Sequence, residues 1–144
     1  MIVDANVLLR AFFPDEAQAH AQAVVREHVA GRMHLKAPSL LPYELTNAIW
    51  QAEHRSRIAP SQADEILQAM TGLEIEIVPQ SWRVALPMAR QFNISAYDAA
   101  YLTLAQDSGE PLVTGDLRLY NAVHPRLEWV MWIEDYPIDW RSDT

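Results

Sequence analysis

Short apolar segments alternate with longer segments of helical periodicity along the whole chain, and this alternation limits the folds open to it. Four strand-like runs are followed by an apolar stretch near the end that supplies a fifth. They lie at residues 2–3, 35–37, 75–78, 111–114 and 129–133. Strands that alternate with helices predict a mostly parallel sheet with helices on both faces, so the expected fold class is α/β with about five strands.

The segments between these strands carry the start and stop signals of helices. Helical spacing is found at residues 16–29, 39–54, 60–70, 82–92, 95–106 and 116–123. Neither an internal repeat nor a linker interrupts them, and the chain length of 144 residues fits one domain, placed at 1–133. The acidic tail at 134–144 is expected to lie outside the sheet, where Ile138 and Trp140 would dock on the domain or on a partner.

The charge balance excludes one common way of binding nucleic acid. Eleven basic and nineteen acidic residues give a net charge of −8, which does not attract a polyanion in bulk.

The absence of cysteine excludes disulfides, thiolate zinc sites and a Cys nucleophile. No basic leader with a long apolar stretch is found, and no apolar run approaches the roughly 18 residues of a spanning helix. These features predict a cytoplasmic protein with no membrane segment.

Four carboxylates stand where a parallel α/β sheet places its chemistry, at the carboxyl ends of strands and at the helix starts that face them. Asp4 follows the first strand and Asp116 the fourth, while Glu44 and Asp98 lie in the first turns of two helices. Each has an ordinary structural explanation, because carboxylates stabilise helix N-termini. Ser95 and Asp98 match a capping box, and Asp116 could cap the helix that follows it.

Helical spacing argues against the structural explanation for two of the four. Asp98 shares its face with Tyr101 and Leu102, and Glu44 flanks an apolar stripe. A carboxylate there must be paired, protonated or bound to metal, and Lys36 is the only lysine in the chain. Four converging acids would repel one another unless Mg²⁺ or Mn²⁺ neutralised them. Such a site is suited to phosphoryl chemistry, and its cations would attract a phosphodiester to an acidic protein.

Four motifs in this order resemble the PIN domain, and more narrowly the VapC-type toxins of type II toxin–antitoxin systems. They are DANVLL at 4–9, LPYEL at 41–45, YDAAYLTLA at 97–105 and TGD at 114–116. The resemblance spans residues 1 to about 133. It implies a three-layer α/β/α sandwich, Mg²⁺- or Mn²⁺-dependent endoribonuclease activity on RNA, a homodimer and a cognate antitoxin.

By the same resemblance, the catalytic and metal-binding residues would be Asp4, Glu44, Asp98 and Asp116. Asp4 and Asp98 lie in the best-matched motifs, while Asn6 and Thr114 would orient a carboxylate or a metal-bound water. Gly115 departs from the family's pattern and allows an unusual backbone angle, which bears on the placement of Asp116. The arginines considered for RNA contact are Arg10, Arg83, Arg90 and Arg118.

Other functions are compatible with parts of this pattern. A PIN-like nuclease that processes RNA without a toxin role would carry the same acids, and an inactive PIN-like module that binds protein would share the fold. A phosphohydrolase of the haloacid-dehalogenase type is disfavoured, because it needs a second acid where Asn6 stands. A receiver domain is disfavoured because the late-strand lysine is missing.

Overall fold

A five-stranded sheet forms the centre of the protein. The structure, a computed structural model, describes residues 1–80 and 82–138. The strands are β1 (Ile2–Val3), β2 (Lys36–Pro38), β3 (Glu76–Val78), β4 (Leu112–Thr114) and β5 (Val130–Trp132). Their order in the sheet is β3-β2-β1-β4-β5, and every neighbouring pair is parallel. The predicted α/β class and strand number are confirmed.

Helices fill each connection between the strands. Within the described residues they are α1 (Ala5–Phe12), α2 (Ala19–Val29), α3 (Leu41–His54), α4 (Pro60–Gly72), α5 (Trp82–Phe92), α6 (Ala96–Ser108) and α7 (Leu117–Val123), with a 3₁₀ turn at Ile133–Asp135. Not one of them is both long enough and apolar enough to span a bilayer.

The strand order divides the helices into two layers. From β1 the chain steps to β2 and β3 at one edge, then returns to β4 and β5 on the other side of β1. Because parallel crossovers are right-handed, connections that run in opposite directions place their helices on opposite faces. The result is the predicted α/β/α sandwich, with a crevice beyond the carboxyl ends of β1 and β4, where the direction reverses.

The central strands are buried on both faces, which explains why their sequences are continuously apolar. Ile2, Val3, Leu112 and Val113 have no exposed surface. Lys36 lies at the amino end of β2, where its Nζ is 2.6 Å from Glu110. The chain's lysine is therefore held at the end of the sheet opposite to the crevice.

Helix α1 was not predicted from the sequence. Its residues form an apolar run without a Ser or Thr start signal, and the Asp4 side chain does not cap it. The helix exists because one face packs on the sheet, where Val7 and Leu8 are fully buried. Helix α2 begins at Ala19 instead of residue 16, after a turn that contains Pro14.

The segment after β5 folds back on α2. Tyr136 is buried, and its carbonyl accepts a hydrogen bond from His20 Nδ1 at 2.8 Å. The carbonyl of Ile138 accepts one from Arg26 at 3.1 Å. Trp140 lies outside the described residues, and the boundary at 133/134 stays a prediction.

Candidate active site

Asp4 is the most buried acid at the crevice, with only 5% of its surface exposed. It follows β1 directly, so the carboxyl end of that strand fixes its position. Its Oδ2 accepts hydrogen bonds from the Thr114 hydroxyl at 2.8 Å and from the Asn6 amide at 3.3 Å. The structure thus places both predicted orienting residues on this carboxylate.

The loop after β4 is tied to the start of α1. Besides donating to Asp4, the Thr114 hydroxyl accepts from the Asp116 N–H at 3.0 Å, and Asn6 Oδ1 accepts from the Gly115 N–H at 2.8 Å. These bonds connect the two central strands at their carboxyl ends. They hold the Asp4 carboxylate at a fixed angle to the loop.

Gly115 does not use the backbone freedom that glycine allows, because its φ does not lie in the left-handed region. Position 115 instead requires a residue without a side chain, because neighbouring side chains lie close to its Cα. A Cβ there would lie 3.2 Å from the Arg10 guanidinium and 3.2 Å from Asn6 Oδ1. Glycine lets Arg10 approach the loop at the edge of the site, a contact that sequence spacing did not predict.

Glu44 projects from the first turn of α3 toward α6. Its Oε1 accepts a hydrogen bond from the Tyr101 hydroxyl at 2.6 Å, and the Tyr101 side chain is almost fully buried. The sequence placed Tyr101 only on the apolar stripe of α6. Its polar role depends on the approach of α3 to α6, which no local pattern reports.

Asp98 and Asp116 face each other across Arg118. Nη2 of Arg118 lies 3.8 Å from Asp98 Oδ2 and 4.0 Å from Asp116 Oδ2. The Ser95 hydroxyl accepts from the Asp98 N–H at 3.1 Å, which is half of the expected capping box. Asp116 does cap α7, since its Oδ1 accepts from two backbone N–H groups, those of Arg118 and Leu119.

The four acids, called here the acidic cluster, are electrostatically coupled. The pKa of Asp4 is raised to about 7, mainly by burial and in part by the negative charges of Asp98 and Glu44, while the Thr114 hydrogen bond acts in the opposite direction. Burial also raises the pKa of Glu44 and of Asp98, and Asp98 is raised further by the charge of Asp116. Asp4, Glu44 and Asp98 therefore resist ionisation, first because they are buried and further because negative charges lie nearby.

The donor set is of the kind that a hard divalent cation prefers, since it consists of carboxylate oxygens with hydroxyl and amide groups behind them. Across residues 1–80 and 82–138, however, no three acidic or histidine side chains are already grouped as a cation cage. Unneutralised carboxylates repel one another, and Glu44 and Asp98 are only partly buried. The residues fit such an ion in chemistry, and binding would require them to close around it.

Three basic residues, His54, Arg55 and Arg57, lie together at the carboxyl end of α3, and Arg57 has a structural role. Arg57 makes two hydrogen bonds to Asp15, at 3.0 and 3.1 Å, and its guanidinium lies over the Phe13 ring. Of the four arginines considered for RNA contact, the structure brings Arg10 and Arg118 to the acidic cluster.

Replacing Tyr101 by Phe tests the link between α6 and Glu44. We expect Tyr101→Phe to lower the free energy of unfolding by about 1–2 kcal/mol, because a half-buried carboxylate loses its hydroxyl donor. Urea unfolding at neutral pH measures this difference. Tyr43→Phe, at an exposed position on α3, is the control and should change stability by less than about 0.5 kcal/mol. Equal stabilities of the two variants would contradict the hydrogen bond.

Known families and proteins are similar to this chain along most of its length. The family model of the PIN domain matches residues 1–124. The chain is similar to Ribonuclease VapC1 of Mycobacterium tuberculosis, with 32% identity over 122 residues that cover 84% of this chain and 89% of that protein. It is also similar to Ribonuclease VapC3 of Pyrobaculum aerophilum, with 25% identity over 123 residues, 83% of this chain and 91% of the relative.

A solved structure shows the same fold. The crystal structure of PAE2754 from Pyrobaculum aerophilum superposes with a TM-score of 0.72, covering 93% of this chain and 83% of that chain at 23% identity. At this identity the likeness concerns the fold alone.

Proposed function

Since the chain belongs to the PIN-domain family, we propose that it is a Mg²⁺- or Mn²⁺-dependent endoribonuclease and the toxin of a toxin–antitoxin pair. The two relatives described above carry the names Ribonuclease VapC1 and Ribonuclease VapC3. The proposed catalytic and metal-binding residues are Asp4, Glu44, Asp98 and Asp116.

One observation carries this proposal: a buried carboxylate, Asp4, is coupled to the charges of Glu44 and Asp98 at the crevice between β1 and β4. Burying an acid against like charges costs stability, and structural capping does not account for it, because Asp4 makes no capping hydrogen bond. Sites that accept such a cost are characteristic of function. A divalent cation would offset it.

Different residues of the site would have different roles. Asp4, Asp98 and Glu44 would hold the cation, and Asp116 would reach it with the oxygen that does not cap α7. When bound, the ion would polarise the scissile phosphate and activate water for attack. Thr114 and Asn6 fix the angle of the Asp4 carboxylate.

Arg118 and Arg10, which lie next to the acidic cluster, would place positive charge near the phosphates of the substrate. Arg118 is 83% exposed and is shared by Asp98 and Asp116. Once a cation neutralised those acids, its guanidinium would be available to a phosphate oxygen. Arg10, held against Gly115, would contact the sugar-phosphate backbone of the RNA from the other side of the loop that follows β4.

The remaining parts of the proposal concern the protein's surroundings. We place it in the cytoplasm as a homodimer whose activity is restrained by a cognate antitoxin, with residues 134–144 as a tail that follows the domain. The relatives' names support the nuclease, and the antitoxin and dimer are proposed by analogy with that family.

The test is cleavage of a mixed RNA pool by the purified protein with Mg²⁺, Mn²⁺ or EDTA, with Asp98→Asn assayed in parallel. We expect cutting with either metal, none in EDTA, and none by Asp98→Asn, which excludes a contaminating nuclease. Isothermal titration with Mn²⁺ accompanies the assay. A folded protein that neither binds Mn²⁺ nor cleaves RNA would overturn the proposal.

A further inference from the structure

A pocket of about 530 Å³ lies beside the acidic cluster, on the side of α5 and α6. Its lining includes the apolar residues Trp82, Leu86 and Tyr97 and the polar residues Ser39 and Gln80. The volume lies within the roughly 300–1,000 Å³ typical of small-molecule sites. We call it the aromatic pocket.

The aromatic pocket is connected to the acidic cluster by adjacent residues on one side and by a backbone hydrogen bond on the other. Tyr97 directly precedes Asp98 in the first turn of α6. Leu40, in the pocket wall, accepts a hydrogen bond through its carbonyl from the Glu44 N–H at 3.0 Å. The lining of the pocket and the acidic cluster therefore share the first turns of α3 and α6.

Two aromatic side chains of the pocket are largely exposed to solvent, unlike the aromatic side chains of a folded core. Trp82 is 90% exposed and Tyr97 is 69% exposed, although burying a large aromatic ring stabilises a protein. Exposed rings of this size next to a polar site usually mark a binding surface. The chain's net charge of −8 means that substrate affinity must come from short-range contacts and not from bulk attraction.

We propose that the aromatic pocket receives an unpaired base of the RNA substrate, stacked on Trp82 and Tyr97, next to the phosphate held at the acidic cluster. The proposal rests on the proposed function. The occupant is single-stranded RNA, because bases in a duplex have their faces covered by neighbouring pairs. Stacking on aromatic rings is tolerant of sequence, while Ser39 and Gln80 offer hydrogen-bonding groups to the edge of the base.

The experiment compares Trp82→Ala and Tyr97→Ala with Trp82→Phe and Tyr97→Phe, which keep a ring. The probe is a short fluorescein-labelled single-stranded RNA of mixed sequence, bound in Ca²⁺ and cleaved in Mn²⁺. Each Ala variant should bind and cleave roughly 5- to 100-fold less well, and each Phe variant should stay within about threefold of the parent protein. The duplex of the same sequence should bind worse than the single strand.

Two further measurements separate stacking from a structural role. Trp50→Ala removes a tryptophan that is 56% exposed on α3 and stacked on His54, away from the pocket, and should leave RNA binding unchanged. Mn²⁺ affinity should be the same in all these variants. At saturating RNA, quenching of indole fluorescence should be smaller in Trp82→Phe than in the parent, since the stacked indole is gone.

The possible results are distinct. If the parent cleaves RNA and both Ala variants match it, the base pocket is overturned and the nuclease stands. If the parent neither binds nor cleaves RNA, both proposals fall. If the Ala variants lose RNA binding together with a change from dimer to monomer in sedimentation, the aromatic face is a protein interface and the base pocket is overturned.

Discussion

Asp4→Asn is expected to reduce metal-dependent RNA cleavage by about 1,000-fold or more while leaving the protein as stable as before, or more stable. The loss corresponds to about 4 kcal/mol of transition-state stabilisation, the scale of a metal's contribution to charge neutralisation. Asparagine keeps the shape and can still accept the Thr114 hydroxyl, so the fold retains its contacts. The negative charge that burial and two neighbouring acids oppose is removed.

The combination of lost activity and retained stability distinguishes a functional acid from a structural one. Cleavage rates in Mn²⁺ and thermal unfolding in EDTA are the two measurements. Asp107→Asn is the matched control, because it removes one exposed charge from the far end of α6 and should leave both quantities unchanged. A variant Asp4→Asn that unfolds well below the parent would mean that this carboxylate holds the fold together.

The metal-free protein is expected to lose stability as the pH rises from 5 to 8. Burial and neighbouring charges raise the pKa of Asp4 to about 7, above its ordinary 3.8. Between these values the folded state binds more protons than the unfolded state, so the free energy of unfolding falls with rising pH. For Asp4 alone the effect is about 4 kcal/mol over the whole interval from below pH 3.8 to above pH 7, of which roughly 2.5 kcal/mol falls between pH 5 and 8. Glu44 and Asp98, whose pKa values are also raised, act in the same direction.

Urea unfolding in EDTA at several pH values measures this slope. Glu110 acts in the opposite sense, because the Lys36 ammonium lowers its pKa, but that contribution is lost only below the ordinary range of a glutamate. Asp4→Asn should flatten the slope between pH 5 and 8. Mn²⁺ should restore stability at pH 8 more than at pH 5, since the ion binds the ionised carboxylates. A flat profile in the parent protein would contradict the burial of Asp4 among like charges.

Local sequence patterns were sufficient for most of the secondary structure and for the position of the acids relative to it. Apolar runs and helix caps depend on residues only a few positions apart. The sequence therefore predicted β1 and β4, and with them the positions of Asp4 and Asp116 directly after these strands. Helix α1 was missed because its signal is packing against the sheet and not a cap. The ordinary structural explanation held in part for Asp116, which caps α7, and failed for Asp4, which caps nothing.

What only the tertiary structure decided is which distant residues meet. The sheet order places β1 beside β4, so Thr114 donates to an acid 110 positions earlier in the chain. The contact of Tyr101 with Glu44, across 57 positions, and the approach of Arg10 to Gly115 have the same origin. The sequence alone determined that acids stand at strand ends and helix starts, because that follows from local periodicity. Their burial, their mutual repulsion and the exposure of Trp82 and Tyr97 beside them depend on how the layers pack, and packing is set by all the elements together.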